Sequence, residues 1–279
     1  MTSQPSVLIL TPVKNAALHL SRYFALLDRL TYPAQLISLG LLESDSTDGT
    51  YEAVNEHLAG RRAAGQRAAC WKKDFGYQIP RATPRWAHHI QIQRRSILAK
   101  SRNHLLSRAL SSEEWVLWLD VDVCEYPPDI IERLLAVNKD IVQPHCVRQF
   151  GGATFDRNAW RDGGLRMDEL RPEGELVRLH AVGGTMLLVR ADAHREGLIF
   201  PTFLYGRRNR LIRFCNGFAA PRNGWQRLFR RARWLLARLP GYNCSFEGEI
   251  ETEGFGMMAD DMGYECWGLP HLEILHHES

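Results

Sequence analysis

The sequence lacks any stretch of apolar residues approaching the roughly 20 that a helix needs to cross a lipid bilayer. Its first residues, Met-Thr-Ser-Gln-Pro, also lack the basic and apolar segments of a secretory signal. No two of its six cysteines are spaced as a CxxC metal or redox motif, which favours free thiols in a reducing compartment. These absences predict a cytoplasmic protein without a membrane-spanning helix or disulfide bonds.

Acidic residues are absent between positions 197 and 246, a stretch that contains ten arginines. Without these ten arginines, the formal charge of the chain falls from +3 to −7. Residues 225–239 show helical spacing of apolar residues with arginines between them. This pattern predicts an amphipathic helix on an anionic membrane surface, or else a helix packed on the domain with a solvated arginine face. The residues predicted to bind the membrane are Trp225, Arg227, Phe229, Arg230, Arg231, Trp234 and Arg238.

No recognised nucleic-acid-binding module accompanies the arginines, so we do not expect a nucleic-acid partner. The apolar fraction of 45% and the charged fraction of 24% are those of an ordinary globular protein. Short apolar runs at 7–11, 36–42, 115–119 and 141–146 alternate with helical patterns at 18–30, 50–64 and 89–110. This order predicts an α/β fold with a mixed, mostly parallel sheet flanked by helices. Residues 70–88 are expected to be irregular, and 175–190 to form one or two strands.

The Asp-Val-Asp run at 120–122 is the strongest chemical feature of the sequence. In an extended backbone, side chains alternate with period two, so Asp120 and Asp122 point to the same side. They follow an apolar strand, and ligands of open α/β sheets bind beyond the carboxyl ends of strands. Two carboxylates at this place suit Mn²⁺ or Mg²⁺ with a phosphate ligand. The alternative is a solvated acidic turn.

Three further polar clusters are candidates for a site. The loop 43–50 carries carboxylates and hydroxyls that suit a ribose and a base, or that cap the helix after it. Basic residues in the helical pattern at 89–110 are candidates for neutralising a diphosphate, or form a solvated charged face. The segment 247–256 and the acidic pair at 260–261 are expected as a flexible loop that orients an acceptor hydroxyl, or as a plain exposed loop. His276 near the end either completes a metal shell or belongs to a frayed tail.

Taken together, these runs resemble the fungal Golgi mannosyltransferases of the mannan polymerase complexes, glycosyltransferase family 62. The order and spacing of the matching runs cover nearly the whole chain. The matching runs lie at 10–15, 43–50, 100–103, 118–122, 182–186, 194–201, 250–256, 261–264 and 268–270.

The resemblance implies a GT-A fold, a GDP-mannose donor, Mn²⁺ and retention of the anomeric configuration. It implies a metal site formed by Asp120, Asp122 and His276. Residues expected around the donor are Thr11, Pro12, Asn15, Glu43, Asp45, Arg95, Lys100, Arg102, Asn103 and Asp120. The residues expected near the reacting sugar, as catalytic candidates, are Glu253 and Asp261.

We therefore predict one GT-A domain over 1–279, with a nucleotide-sugar half at 1–123 and an acceptor half at 124–279. The fungal relatives have an N-terminal anchor and lack the arginine-rich insertion at about 206–246. These differences favour a bacterial relative that works peripherally on the inner membrane face, with a glycan or lipid-linked acceptor, as a homo- or hetero-oligomer. A non-catalytic subunit and an anionic-lipid-binding protein remain as alternatives. A nucleotidyltransferase is disfavoured because residues 11–15 contain no glycine.

Overall fold

The computed structural model of the protein describes residues 4–79, 83–84, 87–161, 164–206 and 248–276. The strands are β1 (Val7–Val13), β2 (Ile37–Glu43), β3 (Ala68–Lys72), β4 (Trp115–Leu119), β5 (Val123–Glu125), β6 (Ile141–Val147), β7 (Val177–Leu179), β8 (Met186–Arg190) and β9 (Cys266–His276). The helices are α1 (Ala17–Asp28), α2 (Thr50–Ala63), α3 (His88–Ala109), α4 (Ile130–Ala136), α5 (Met167–Leu170), α6 (Ala191–Arg195) and α7 (Glu251–Asp261).

All nine described strands join one sheet, in the order β3-β2-β1-β4-β8-β6-β9-β5 with β7 on β9. The first four run parallel, and β6 and β9 share their direction, whereas β5, β7 and β8 run the opposite way. The predicted fold class, a mixed and mostly parallel sheet flanked by helices, is confirmed. The predicted division at 123/124 stays a prediction, and the sheet is continuous across it.

The order of the first four strands creates the place where a ligand is expected. The chain builds outward from β1 to β2 and β3, then returns through α3 to β4 on the other side of β1. Such a reversal leaves a crevice at the carboxyl ends of the two central strands. The segments that follow β1, β2 and β4 therefore meet at one edge of the sheet.

Alternate residues of β1 supply two hydrophobic cores, one on each face of the sheet. Val7 and Ile9 belong to the core that includes residues of α1 and α2, whereas Leu8 and Leu10 belong to the core that includes residues of α3 and α7. All four are at most 1% exposed. Burial on both faces explains why the strand is a continuous apolar run rather than an alternating one.

The expectation of a flexible acidic loop at 247–256 is wrong for most of its length, because Glu251–Asp261 is a helix. Two glycines lowered the apparent helix propensity of this segment. A Cβ on Gly254 would lie 2.5 Å from the carbonyl oxygen of Glu249, and one on Gly256 would lie 2.7 Å from that of His180. The glycines thus allow the helix to pack directly on neighbouring backbone.

Other differences concern short or late elements. Ala68–Lys72 is a strand that completes the edge of the sheet, although 70–88 was expected to be irregular. Cys266–His276 is a strand inside the sheet rather than a frayed tail. Tertiary pairing fixes both segments, which propensity alone does not reveal.

Within the described ranges, no helix combines the length and apolar character that crossing a bilayer requires. Four described cysteines, Cys70, Cys124, Cys146 and Cys266, are free thiols. The predicted membrane-binding helix at 225–239 lies outside the described residues.

Replacement of Phe255 by alanine tests the burial of α7. Phe255 is fully buried and its ring stacks on Phe200 at 4.7 Å between centroids. The expected loss of unfolding free energy is about 3–5 kcal/mol, measured by urea denaturation. Leu18→Ala, at a helix position that is 96% exposed, should change it by less than about 0.5 kcal/mol. Equal effects of the two variants would mean that 251–261 is not packed as described.

Candidate functional site

The predicted Asp-Val-Asp run forms the turn between β4 and β5, at the crevice of the sheet. The Asp120 N–H donates to the carbonyl of Thr185 at 2.9 Å, which ties the turn to the segment before β8. Asp120, Val121 and Asp122 all line one cleft with a volume of about 340 Å³. That volume lies in the usual range of small-molecule sites. The acidic pair therefore faces a cleft and is not a solvated turn.

His276 stands beside this turn because β9 pairs with β5. Val123 is opposite His276 in that pairing. The His276 Nε2 atom lies 3.1 Å from Oδ1 of Asp122, and the side chain is 9% exposed. The ring of Phe155 stacks on the imidazole at 4.1 Å between centroids, which fixes the ring plane. His276 therefore lies beside the acidic run, and its role as a metal ligand stays a prediction.

The chemistry of these side chains fits a shared divalent cation. Carboxylates and an imidazole are donors that Mn²⁺ accepts. Among the described residues, no group of three or more His, Cys, Asp or Glu is assembled as a cation site. Mg²⁺ and ions like it commonly use one or two carboxylates, with the remaining ligands supplied by substrate phosphates and water. Asp122 and His276 suit that incomplete type of site, and the metal stays a prediction.

Asp120 is held by Arg102, which is fully enclosed with 1% of its side chain exposed. The Nη2 atom of Arg102 lies 3.0 Å from Oδ1 of Asp120 and 3.3 Å from the Gly184 carbonyl, and Nε lies 3.1 Å from Oε1 of Glu251. The structure contradicts direct donor binding by Arg102, because a buried guanidinium cannot reach a ligand. Burial raises the pKa of Asp120 to about 6, which Arg102 opposes and Asp122 reinforces.

A close approach of backbone and side chain is built into this pair. A Cβ on Gly184 would lie 2.5 Å from Nη2 of Arg102. The guanidinium carbon of Arg102 also lies 5.5 Å from the Trp118 ring and 5.3 Å from the Phe200 ring, both within cation–π range. Gly184, within the run 182–186 that matches the family, therefore lacks a side chain where Arg102 approaches the backbone.

Arg95 and Glu253 form a second ion pair next to the first. Arg95 Nη1 lies 2.6 Å from Oε2 of Glu253, and Oε1 of Glu253 accepts from the Trp160 indole at 2.7 Å. Arg95 also donates to the carbonyl of Ile250. Both carboxylate oxygens of Glu253 are therefore engaged. We conclude that Arg95 and Glu253 hold each other in place at the start of α7.

Three other predicted residues lie away from the cleft. Lys100 is exposed and does not line it. The Asn103 side chain pairs with both the N–H and the carbonyl of Phe200, at 2.9 and 2.7 Å. Asp261 accepts from the Tyr205 hydroxyl at 3.0 Å. Because α7 rises about 1.5 Å per residue, Asp261 is roughly 15 Å from Glu251 along the helix, which argues against a role at the reacting sugar.

The predicted nucleoside residues divide into two groups. Pro12, Asn15 and Asp45 line the cleft. Thr11 is fully buried, and its hydroxyl lies 2.7 Å from that of Tyr23. Glu43 is also fully buried, and its Oε1 accepts the Ser46 N–H at 2.8 Å. Burial excludes donor contact by the last two and gives them a role in shaping the loop.

Left-handed backbone conformations concentrate around this site. Asn15, Asp45 and Glu251 have φ of 48°, 56° and 59°, and Asn138 is the fourth such non-glycine residue in the described part of the chain. This conformation is tolerated by Asn and Asp but is rare for a residue like Glu. The ion pair of Glu251 with Arg102 accounts for its retention.

Several cleft residues were not among the predicted site residues: Lys14 and Tyr77 line the cleft together with Ile97, Leu98 and Ser101 of α3. Arg94, one of the basic residues of 89–110 considered as a candidate for neutralising a diphosphate, lines it too. The α3 residues occur at i, i+3, i+4 and i+7, so helical periodicity identifies them once one residue of that face is known. Burial lowers the pKa of the Lys14 ammonium, opposed by Asp45 and Glu43. Helical or strand periodicity could not identify Tyr77, because it lies beyond the end of β3 in an irregular segment.

Comparison with known proteins places the chain in a family. A family profile named Anp1 matches residues 1–169. The chain belongs to the Anp1 family. The mannan polymerase II complex anp1 subunit of Schizosaccharomyces pombe is 29% identical over 97% of this chain and 63% of its own length. The mannan polymerase complex subunit MNN9 of Candida albicans is 27% identical over 99% of this chain and 76% of its own. The mannan polymerase II complex ANP1 subunit of Saccharomyces cerevisiae is 28% identical over 97% of this chain, which spans 54% of that relative's length.

Solved structures show more distant similarity to this Anp1-family chain. The mannosyltransferase PcManGT from Pyrobaculum calidifontis, in complex with GDP-Man and Mn²⁺, is 17% identical with a TM-score of 0.46, over 73% of this chain and 49% of its own. S. aureus TarS 1-349 in complex with UDP is 13% identical with a TM-score of 0.46, over 71% and 50% of the two chains. Similarity at this level says nothing about the reaction or the ligands of this chain.

Arg102→Met and Lys100→Met form a matched pair on one helix. Loss of Arg102 leaves Asp120 and Glu251 without their cation, so we expect a loss of about 3–5 kcal/mol in unfolding free energy. Lys100→Met should change it by less than about 0.5 kcal/mol. Adding Glu251→Gln to Arg102→Met should cost less than the two single effects summed, since the residues share one network. Additive losses in denaturant unfolding would contradict the described pairing.

Proposed function

We propose that this protein is a metal-dependent, retaining α-mannosyltransferase that moves mannose from GDP-mannose to a hydroxyl of a glycan or glycolipid. The observation that carries the proposal is the arrangement of Asp122 and His276, 3.1 Å apart, at the carboxyl end of β4 and beside a cleft that contains two cationic side chains. Acidic and cationic groups together suit a metal-bound diphosphate better than either a purely anionic or a purely cationic ligand. The GT-A assignment belongs to the same proposal.

Positive charge in the cleft would offset the negative charge of the donor's phosphates. Lys14 follows the first strand and Arg94 lies on α3, so positive charge reaches the cleft from two elements. A Mn²⁺ or Mg²⁺ ion, when bound, supplies further positive charge to stabilise the departing diphosphate. Asp122 and His276 would hold that ion, and Arg102 keeps the neighbouring carboxylate of Asp120 in a fixed orientation. In this proposal the Asp120 carboxylate contributes negative charge to the site in an orientation fixed by its ion pair with Arg102.

The proposal also includes how the acceptor hydroxyl reacts. In a retaining reaction without a dedicated nucleophile, the acceptor hydroxyl attacks the anomeric carbon of the donor sugar from the side of the leaving group. The proton of that hydroxyl passes to the departing phosphate. Glu253 serves in this proposal as a positioning residue for Arg95 and the indole of Trp160, since both of its oxygens are engaged. Asp261 is removed from the catalytic set because it lies at the far end of α7.

Mannose as the transferred sugar rests on the relatives, which are named subunits of mannan polymerase complexes. Because the same names describe subunits of complexes, they favour assembly with other subunits. The arginine-rich segment at 206–246 supports work at an anionic membrane surface, and we keep a cytoplasmic, peripheral location as part of the proposal. The acceptor would then be a lipid-linked or membrane-anchored glycan.

The relatives' names also support a second candidate function, that of a non-catalytic subunit. A protein of that kind would bind a partner glycosyltransferase without turning over a donor. Incubation of the purified chain with GDP-mannose and soluble mannose acceptors distinguishes the two. Mannose transfer supports the enzyme, whereas stable partner binding with no transfer or donor hydrolysis in the chain alone supports the second candidate.

Asp122→Asn tests the metal–diphosphate site. For the wild-type protein, GDP with Mn²⁺ at 100 times Kd should stabilise the fold by about 2.7 kcal/mol through mass action, seen as a higher melting temperature. Asp122→Asn should remove the Mn²⁺-dependent part of that shift and the transfer of mannose. Asp129→Asn, at a residue whose side chain is 45% exposed and paired with Arg133, is the matched control and should behave as wild type. Full turnover by Asp122→Asn would refute the assignment.

A further inference from the structure

The carboxylate of Asp45 organises the loop that follows β3. Its two oxygens accept the backbone N–H groups of Phe75 at 3.1 Å, Gly76 at 2.9 Å and Tyr77 at 3.4 Å. The N–H of Asp45 in turn donates to Oδ1 of Asp74 at 2.8 Å. A carboxylate with several backbone donors is a strong, charge-assisted anchor. Most of its hydrogen-bonding capacity is thus directed at the loop.

Lys14 anchors the same loop from the first strand. Its ammonium donates to the carbonyl oxygen of Tyr77 and lies 5.8 Å from the centre of the Tyr77 ring. The side chain of Gln78 donates to the carbonyl of Asp45 at 3.0 Å. Segments after β1, β2 and β3 are therefore bound to one another at Tyr77.

What Tyr77 offers to the cleft is its aromatic ring. Its N–H is bonded to Asp45 and its carbonyl to Lys14. Its hydroxyl oxygen is buried and has no hydrogen-bond partner within the described ranges. Tyr77 nevertheless lines the cleft, next to Ile79. An aromatic ring beside an apolar side chain is a surface for a flat ring and not for a phosphate.

Asp45, to which Tyr77 is bonded, lies two strands away from the Asp120–Asp122 turn. Asp45 follows β2, and β1 separates β2 from β4, where the Asp120–Asp122 turn begins. Strands lie about 4.8 Å apart, so the two ends of the cleft are roughly 10 Å from each other. An interval of this size would accommodate a ribose between a base near Asp45 and a diphosphate at Asp122.

We propose that the ring of Tyr77 is the stacking surface for the nucleoside base of the donor, and that Asp45 acts as the positioning residue that holds it there. This inference rests on the proposed function and assigns the base-binding part of the same cleft. In this arrangement the base is bound by stacking on Tyr77, and the Asp45 oxygens bond to the loop rather than to the base.

Tyr77→Ala and Tyr77→Phe test the stacking role, with GDP and inorganic pyrophosphate as probes in the presence of Mn²⁺. Calorimetric titration of Tyr77→Ala should show GDP bound about 5- to 150-fold more weakly, the range found for loss of one base–aromatic stack. Pyrophosphate affinity should not change, because it has no base. Tyr77→Phe should bind GDP as wild type does, because the hydroxyl it removes is buried and has no partner in the described chain.

Asp45→Asn tests the positioning role. Asparagine tolerates the left-handed conformation of residue 45, so the variant removes one accepting oxygen without adding backbone strain. GDP should bind more weakly than to wild type while pyrophosphate affinity is kept. Asp48→Asn is the matched control, because Asp48 accepts N–H groups of Ala17 and Thr50 in the same polar segment but does not line the cleft.

Unchanged GDP affinity in Tyr77→Ala, or an equal loss for GDP and pyrophosphate, would overturn the stacking role. Melting temperatures without ligand show whether each variant is folded, and Tyr77→Leu, which keeps an apolar side chain without the ring, serves if Tyr77→Ala is not. If the wild type binds pyrophosphate but not GDP, the inference fails while the metal site stands. If it binds neither, the proposed function fails with it.

Discussion

The burial of Arg102 is the constraint on which the site depends. A guanidinium that is 1% exposed needs anionic partners, because removal of a charge from water is costly unless the charge is paired. Its two carboxylates come from distant parts of the chain, Asp120 after β4 and Glu251 at the start of α7. The left-handed backbone at Glu251 and the missing side chain at Gly184 both follow from the need to reach this one cation.

The same interaction connects the two predicted halves of the domain. The segment before β8 contacts Arg102 through the Gly184 carbonyl, and the first turn of α7 contacts it through Glu251. Arg95, on the same helix as Arg102, makes a similar pair of contacts with Glu253 and the carbonyl of Ile250. Through Arg102, the position of the first turn of α7 is therefore linked to that of the Asp120 carboxylate at the cleft.

Much of the fold followed from local patterns. Buried strands such as β1 and β4 are continuous apolar runs, and polar residues after them identify the edge of the sheet where the cleft lies. His276, expected from the sequence to share a metal with the acidic run, lies 3.1 Å from Asp122, and the metal itself stays a prediction. The helix α7 did not follow, because its glycines serve packing against backbone, which only the tertiary structure contains. Some residues predicted to bind the donor are buried and others line the cleft, and the sequence could not separate the two groups for a similar reason. Residue type alone does not show that Arg102 and Thr11 are buried whereas Arg94 lines the cleft.

Asp120 and Asp122 show how two identical residues on one side of a turn acquire different roles. Period two alone makes them equivalent, and their surroundings separate them. Asp120 meets a permanent cation, whereas Asp122 meets an imidazole whose charge depends on pH and on any bound ion. A metal ligand must be able to exchange its partner for the metal, and an ion pair with a buried arginine opposes that exchange. In the proposed metal site we therefore assign Asp122 as the primary ligand, with Asp120 as a fixed charge beside it.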